Sequence, residues 1–316
     1  MTWESNSSFH KKLPLQHSWD STSLGAFKTC PRLYYYQIVR GYTPKSLNVH
    51  LTFGLLYHGA LERYDHARAD GLDHERAVLL SVDYCMKESW DKELERPLAV
   101  LSEDSNKNRF TLVRTVIWYL EQFKNDPLHT IILSNGKPAV ELSFRFETEF
   151  RSRDGTPFTY CGHMDRFAEL NGEPYVVDRK TTKSTISEHF FSSFSPNNQF
   201  TGYIAGGKVL AANAPKKLIV DAAQIAVGFS RFERGIVERS DFQIEEWFRG
   251  MSYSLKLAEV YADANFWPLN ELACGNYGGC PFRSVCGKKG PKAREDWLGE
   301  AFGRRTWDPL QIRGDV

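Results

Sequence analysis

The chain has no run approaching the roughly eighteen consecutive apolar residues of a membrane-spanning helix, and Met1 to Asp20 contain no apolar leader segment. A cytoplasmic protein with no membrane partner is the expectation. Net charge is missing too. Forty Lys and Arg against thirty-nine Asp and Glu leave +1 at pH 7, which excludes a global basic field, so any hold on nucleic acid must rest on local patches. One such patch is Arg283 to Arg305, where Arg283, Lys288, Lys289, Lys292, Arg294, Arg304 and Arg305 outnumber Glu295, Asp296 and Glu300; a solvated tail is the equal alternative. No Walker A pattern occurs, so the chain carries no helicase motor of its own. Internal repeats and low-complexity segments are absent. The six cysteines include no C-x2-C zinc-ribbon knuckle, and in an intracellular chain they read as metal or structural thiols rather than as a disulfide framework.

What remains is ample for a core: 316 residues, 41% apolar and 14% aromatic. Residues 1–135 read as helical. A short helix begins near Ser21 to Ser23, and Pro31 suits the first turn of the next, which runs through Tyr36. Thr52 to Ala69 reads as a helix closed by Gly71, and Asp73 as the N-cap of one reaching Leu94. Another spans Ser102 to Lys124, with Phe110, Val113, Ile117 and Leu120 as its core stripe. Residues 136–240 carry the sheet. Val140, Leu142, Phe144 and Phe146 alternate with polar residues up to a turn at Asp154-Gly155; Phe158 to Leu170 returns, and a hairpin at Asn171-Gly172 follows. A helix from Pro196 to Ala212 and apolar runs at Leu218 to Phe229 and Gly235 to Val237 come next. Residues 241–316 add a long helix from Asp241 to Ala264, a cysteine cluster and the basic segment. The implied fold is α/β, one integrated domain with a mixed central sheet flanked by helices and with helical extensions at both ends.

The hairpin holds the most chemistry. Leu170 and Glu173 flank its turn, and counting outward in step places Asp165 opposite Asp178. Alternation along a strand then points Asp178 and Lys180 to one face and Arg179 to the other. Two carboxylates and an ammonium converge on one patch. Like charges facing each other destabilise a sheet unless something sits between them, and a divalent cation with oxygen ligands answers that need. Ordinary solvated charges on a polar face are the alternative, against which stands the apolar run Tyr175-Val176-Val177, the mark of a strand buried on both faces.

These segments resemble the PD-(D/E)xK nuclease superfamily and, within it, the RecB-like branch. Gly162-His163-Met164-Asp165-Arg166 is similar to that branch's G-x-x-D-R motif, and Val177-Asp178-Arg179-Lys180 to its acidic-x-Lys motif. Ser23-Leu24 through Cys30-Pro31-Arg32-Leu33-Tyr34-Tyr35, Gly54-Leu55-Leu56-Tyr57-His58 and Gln199-x-x-x-Tyr203 match further motifs in the family's order, and Cys274, Cys280-Pro281-Phe282-Arg283 and Cys286 resemble its C-terminal cysteines. The resemblance implies a restriction-endonuclease-like fold. It also implies a magnesium or manganese ion held by His58, Asp165, Asp178 and the Arg179 carbonyl, with Lys180 orienting or deprotonating the attacking water. Gln199 and Tyr203 share a helix face beside the site, and Glu141 stands where many relatives have a glutamate. Asp178 replaces the longer Glu of many members. Thr181, Thr182 and Lys183 are candidate phosphate contacts. A lone histidine on an apolar helix is otherwise a core residue, and Glu141 otherwise a solvated strand charge.

Cys30, Cys274, Cys280 and Cys286 resemble the four-cysteine [4Fe-4S] site of iron-sulfur RecB-like nucleases, with zinc the alternative occupant; Cys85 and Cys161 read as small buried residues. Taken together the resemblance implies a metal-dependent DNA exonuclease acting on single strands or ends, akin to CRISPR-associated RecB-like exonucleases and to the nuclease domains of helicase-nucleases, with a helicase, repair or CRISPR adaptation partner. A non-catalytic DNA-binding or assembly subunit is the rival, and RNA as substrate stays open.

Overall fold

The computed structural model of the chain describes residues 8–10, 13–46, 48–210 and 216–311. In chain order the longer helices are α1 (Ser21–Thr29), α2 (Val49–Ala69), α3 (His74–Glu88), α4 (Arg109–Gln122), α5 (Asn198–Leu210), α6 (Asp241–Asp263) and α7 (Pro291–Ala301). The strands of the main sheet are β1 (Ser18–Trp19), β2 (His129–Thr130), β3 (Val140–Arg151), β4 (Pro157–Leu170), β5 (Glu173–Thr182), β6 (Lys217–Ile225) and β7 (Ser230–Glu238). The fold is mixed α/β, a central mixed sheet flanked by helices. The described residues divide into two compact units, one drawn from 8–46, 144–162 and 240–311, the other from 48–143 and 163–239.

In the second unit, β4 and β5 pair antiparallel about the Asn171-Gly172 turn, where both residues have positive φ (54° and 79°). Such a turn matches the strands' own twist. β5 runs parallel to β6, which pairs antiparallel with β7. A parallel pair needs a crossover, and α5 lies within it. Phe53, Leu56, Tyr57 and Leu61 of α2 form one core with Leu112, Val116, Tyr119 and Leu120 of α4 and with Ala223, Ile225 and Phe232 of the sheet.

Local side chains set the helix ends. Asn48 accepts the backbone N–H groups of His50 and Leu51, so α2 starts three residues before the expected Thr52. Asp73 caps α3 as expected, but the helix stops at Glu88 rather than Leu94, because Trp90–Asp91 turns back to pair with Arg96–Pro97. The single helix expected over Ser102 to Lys124 is interrupted. Asp104 accepts the N–H groups of Asn106 and Lys107, and Asn108 and Thr111 form a capping box that restarts the chain as α4. The expected stripe is corrected as well: Phe110 is 85% exposed, and the face turned inward carries Leu112, Thr115, Val116, Tyr119 and Leu120. α5 falls inside the expected Pro196 to Ala212, of which residues 211 and 212 lie outside the described residues.

In the first unit, Ser240 and Gln243 form a capping box at the start of α6, which ends within one residue of the expected Ala264. Trp19 stacks on Tyr34 at 4.9 Å, and Tyr34 also meets Trp267. Tyr36, Phe282, Val285 and Phe302 make a second cluster with Cys280 and Cys286 packed against it. Arg283 to Arg305 is no loose tail: it contains α7, and Phe302–Arg304 pairs with Tyr42–Pro44 while Arg40 bridges to Glu295.

The two faces of α4 separate in an unfolding experiment. Leu112→Ala is expected to cost about 2–5 kcal/mol, as truncation of a fully buried leucine does, and Phe110→Ala to stay within about 0.5 kcal/mol. Urea titration of both variants checks this, and equal losses would contradict the assignment of the inward face.

Candidate active site

The β4–β5 register runs from Leu170↔Glu173 to Arg166↔Val177 and stops there, one step short of Asp165 and Asp178. β5 continues beside β6 as far as Thr182↔Gln224. Beyond the last β4–β5 pair the Arg179 N–H is taken by a side chain, Asp165 Oδ2, at 2.7 Å. The hairpin thus opens where its charged residues begin, with Asp165 closing the gap as a backbone acceptor.

Three elements meet there. His58 on α2 places Nδ1 3.4 Å from Asp165 Oδ2. Glu141, near the start of β3, has φ +47°, a conformation rare for a residue with a side chain and costly to hold. Ligand atoms of His58, Glu141 and Asp165 all lie within 4.8 Å of one another, close enough to hold one metal ion. One imidazole and two carboxylates suit a divalent cation that accepts nitrogen and oxygen donors. His58 therefore belongs to a polar cluster, and Glu141 is half-buried rather than fully solvated.

Asp178 and Lys180 share the other expected feature. Lys180 Nζ lies 2.8 Å from Asp178 Oδ2 and donates to Gln199 Oε1 at 3.1 Å, while Gln199 Nε2 donates to the Tyr203 hydroxyl at 2.9 Å. The ammonium also sits 5.4 Å from the centre of the Phe200 ring, which is fully buried. α5 is anchored by Arg239, a buried arginine that donates to Thr201 Oγ1, Ser195 Oγ and the Phe194 carbonyl.

Burial and neighbouring charge push the two aspartates apart. For Asp165, burial favours the neutral acid, but the charge and hydrogen bond of His58, then Lys180 and the Arg179 N–H, outweigh it and hold the carboxyl well below the ordinary aspartate range. For Asp178, burial dominates and the Asp165 charge adds to it, so its proton affinity rises despite Lys180. Burial likewise works against a charged His58, and the two aspartates more than offset it, raising the imidazole above its usual value.

A model of the PD-(D/E)XK nuclease superfamily matches residues 19–287, most of the chain. The chain belongs to that superfamily. None of the curated proteins compared matches it. Among solved structures it is similar to a presumed exonuclease from Eubacterium rectale, with 10% identity, a TM-score of 0.47, and 82% of this chain and 86% of that one covered. It is similar also to SSO0001, at 12% identity and a TM-score of 0.35, with 89% and 90% covered. The fold brings Asp165, Asp178 and Lys180 to one end of one hairpin.

Sequence reasoning did not identify the charges behind this hairpin. Arg179 pairs with Asp65 at 2.7 Å, both buried, on the face away from Lys180. Arg234 is bidentate to Asp126 at 2.8 and 2.7 Å and also reaches Asp221. Asp65 lies seven residues after His58 on α2, two helical turns along the same face, and that spacing was the available signal.

The four cysteines lie in the first unit. The Cys30 sulfur accepts the Asn270 N–H at 3.3 Å, and the Cys280 N–H donates to the Cys274 carbonyl at 3.0 Å. Burial raises the Cys280 thiol, and the nearby Cys274, Cys286 and Cys30 raise it further. Cys274, Cys286 and Cys30 thus lie near enough to Cys280 to act on its charge, while Cys85 and Cys161 are buried. Among the described residues His58, Glu141 and Asp165 form the group at single-ion spacing, and the cysteines do not form such a group. No helix among the described residues is long and apolar enough to cross a membrane.

Asp65→Asn is expected to destabilise the protein by about 3–5 kcal/mol, because it leaves the buried Arg179 guanidinium without its counter-charge. Chemical denaturation near neutral pH measures the loss. A change below about 1 kcal/mol, the worth of an exposed pair, would show that Asp65 does not neutralise Arg179.

Proposed function

We propose that the protein is a metal-dependent deoxyribonuclease of the RecB-like branch, an exonuclease acting on single-stranded DNA or DNA ends. The observation that carries the reading is the convergence of His58, Glu141 and Asp165 beside the Asp178–Lys180 pair in a chain of this superfamily. The choice of branch, and with it of end-directed action, is supported by the order of the matching segments from Ser23 to Cys286.

His58, Glu141 and Asp165 are assigned as holders of the magnesium or manganese ion, with Asp178 and the Arg179 carbonyl as further oxygen donors. A bound ion of this kind acidifies water and polarises a phosphoryl oxygen. The chain's own groups prepare the rest. Gln199 and Asp178 fix Lys180 Nζ from two sides, so the ammonium meets substrate without losing side-chain freedom at that moment. From there it donates to the attacking water or to a phosphate oxygen and offsets charge that grows as the P–O bond breaks. His58, then Lys180 and the Arg179 N–H, hold Asp165 in its ionised, ligand-competent form. Thr182 ends the strand and Lys183, paired with Asp104 at 3.1 Å, follows it; both are assigned as contacts to the next phosphate.

The deciding experiment is digestion of end-labelled DNA with magnesium or manganese. Progressive loss from one end supports the exonuclease, internal cuts would revise the mode of action, and no cleavage by folded protein would favour a non-catalytic subunit. Lys180→Ala is expected to slow cleavage at least about a hundredfold in protein that still folds, and near-normal turnover would remove Lys180 from the mechanism.

The four cysteines are assigned to a [4Fe-4S] cluster. A single zinc ion with Zn–S bonds of about 2.3 Å would bring its thiolates within roughly 4 Å of one another, whereas a cluster binds each to a different iron and spreads them. Anaerobically purified protein is expected to be brown, to bleach when Cys30, Cys274, Cys280 or Cys286 becomes Ser, and to keep its colour in Cys85→Ser and Cys161→Ser. Colourless protein holding one zinc per chain would overturn the cluster and keep the four ligands.

A further inference from the structure

On the face of β4 and β5 turned away from Asp178 and Lys180 lies a cavity of about 590 Å³, bounded by the carboxyl-terminal ends of α2 and α4 and by β2. Pockets of about 300–1,000 Å³ accommodate small organic ligands. Its floor is Arg166 and Arg179, both buried. Arg179 is neutralised by Asp65, but the nearest carboxylate to Arg166, Asp126, is 3.9 Å away and already holds Arg234 bidentately. The Arg166 guanidinium instead donates to neutral acceptors, Thr130 Oγ1 at 2.8 Å and the Leu128 carbonyl at 2.6 Å.

The rim is cationic as well. Arg68, Lys124 and His129 are exposed there, and the Lys124 ammonium and the His129 ring have no hydrogen-bond or ion-pair partner among the described residues. Among the lining residues Arg68, Lys124, Arg166 and Arg179 stand against Asp65 and Asp126, four positive charges to two negative. The half-buried rings of Tyr64 and Phe123 complete the lining. An excess of positive charge at the mouth, with aromatic rings on the walls, selects a compact anion that carries a flat ring.

We propose that this cavity binds a nucleoside 5′-monophosphate, its phosphate held by Arg68 and Lys124 and its base lying against Tyr64 and Phe123. The ligand class rests on the cavity alone; the nucleotide's role as a released product rests on the nuclease reading. Arg179 joins the two places. Arg179 lines the cavity while its own N–H donates to Asp165, so occupancy at the back meets a residue that also belongs to the candidate metal site.

The test is calorimetric titration of the full-length protein, without divalent metal, with 2′-deoxyadenosine 5′-monophosphate and in parallel with inorganic phosphate. Saturable binding of one nucleotide per chain is expected. Combined Arg68→Glu and Lys124→Glu substitution should weaken it at least tenfold with the thermal melt unchanged, and Lys180→Ala should leave it intact. Phosphate alone should bind at least tenfold more weakly. Nucleotide binding that survives the double substitution and is lost in Lys180→Ala would put the ligand in the catalytic cleft and overturn the proposal, as would equal affinity for inorganic phosphate or no saturation at millimolar nucleotide. Binding is read without cleavage, so a chain that cuts nothing still answers.

Discussion

The hydrogen bond from the Arg179 N–H to Asp165 is the constraint around which the site is built. An unpaired N–H buried between two strands is costly, and a carboxylate that replaces the missing backbone acceptor removes the cost and acquires a fixed position and a stable negative charge. That charge in turn draws the imidazole of His58 and raises the proton affinity of Asp178. Burial of Asp178 and the His58 and Lys180 charges beside Asp165 then separate the two neighbouring aspartates into an ionised group and a group held close to a lysine.

Charge is then sorted by strand alternation. Odd-numbered residues of β5 send Tyr175, Val177 and Arg179 to one side, and even-numbered ones send Asp178 and Lys180 to the other. Tyr175 and Val177 bury themselves with Leu128, Ala168 and Ile219, and Arg179 follows them inward only because Asp65 meets it. On the Lys180 side, α5 supplies Gln199 and the Phe200 ring against the lysine, and Arg239 fixes the start of that helix with no carboxylate partner among the described residues.

Much of this was legible in the sequence because it follows from period two and from a turn that only certain residues form. Asn171-Gly172 fixed the register as far as Arg166 and Val177, one step short of the two aspartates. The face of α4 was not legible. Phe110, Val113 and Ile117 and the series Leu112, Val116, Tyr119 are both at helical spacing, and periodicity cannot choose between two apolar stripes when packing partners are unknown. The break at Asp104 escaped for a related reason: Asp and Asn side chains compete locally for backbone N–H groups, and whether they win depends on the tertiary setting. Glu141 read as out of phase with its strand, which was correct, but the positive φ that accompanies its place beside His58 and Asp165 leaves no mark in the residue pattern. For the buried Arg–Asp pairs the spacing of Asp65 from His58 was the one signal, and it names no partner, since the members lie as much as 114 positions apart in the chain.

The alternation along β5 also limits how this segment can change in length. Inserting one residue between Val177 and Arg179 would turn Arg179 toward the face that now carries Asp178 and Lys180 and send Lys180 to the back. Lengthening the loop at Asn171-Gly172 has no such effect so long as the pairing of Arg166 with Val177 is kept. The hairpin therefore has a rigid frame at one end and a free length at the other. Substitutions can accumulate along its arms and insertions at its tip, but the residue count at its open end is fixed.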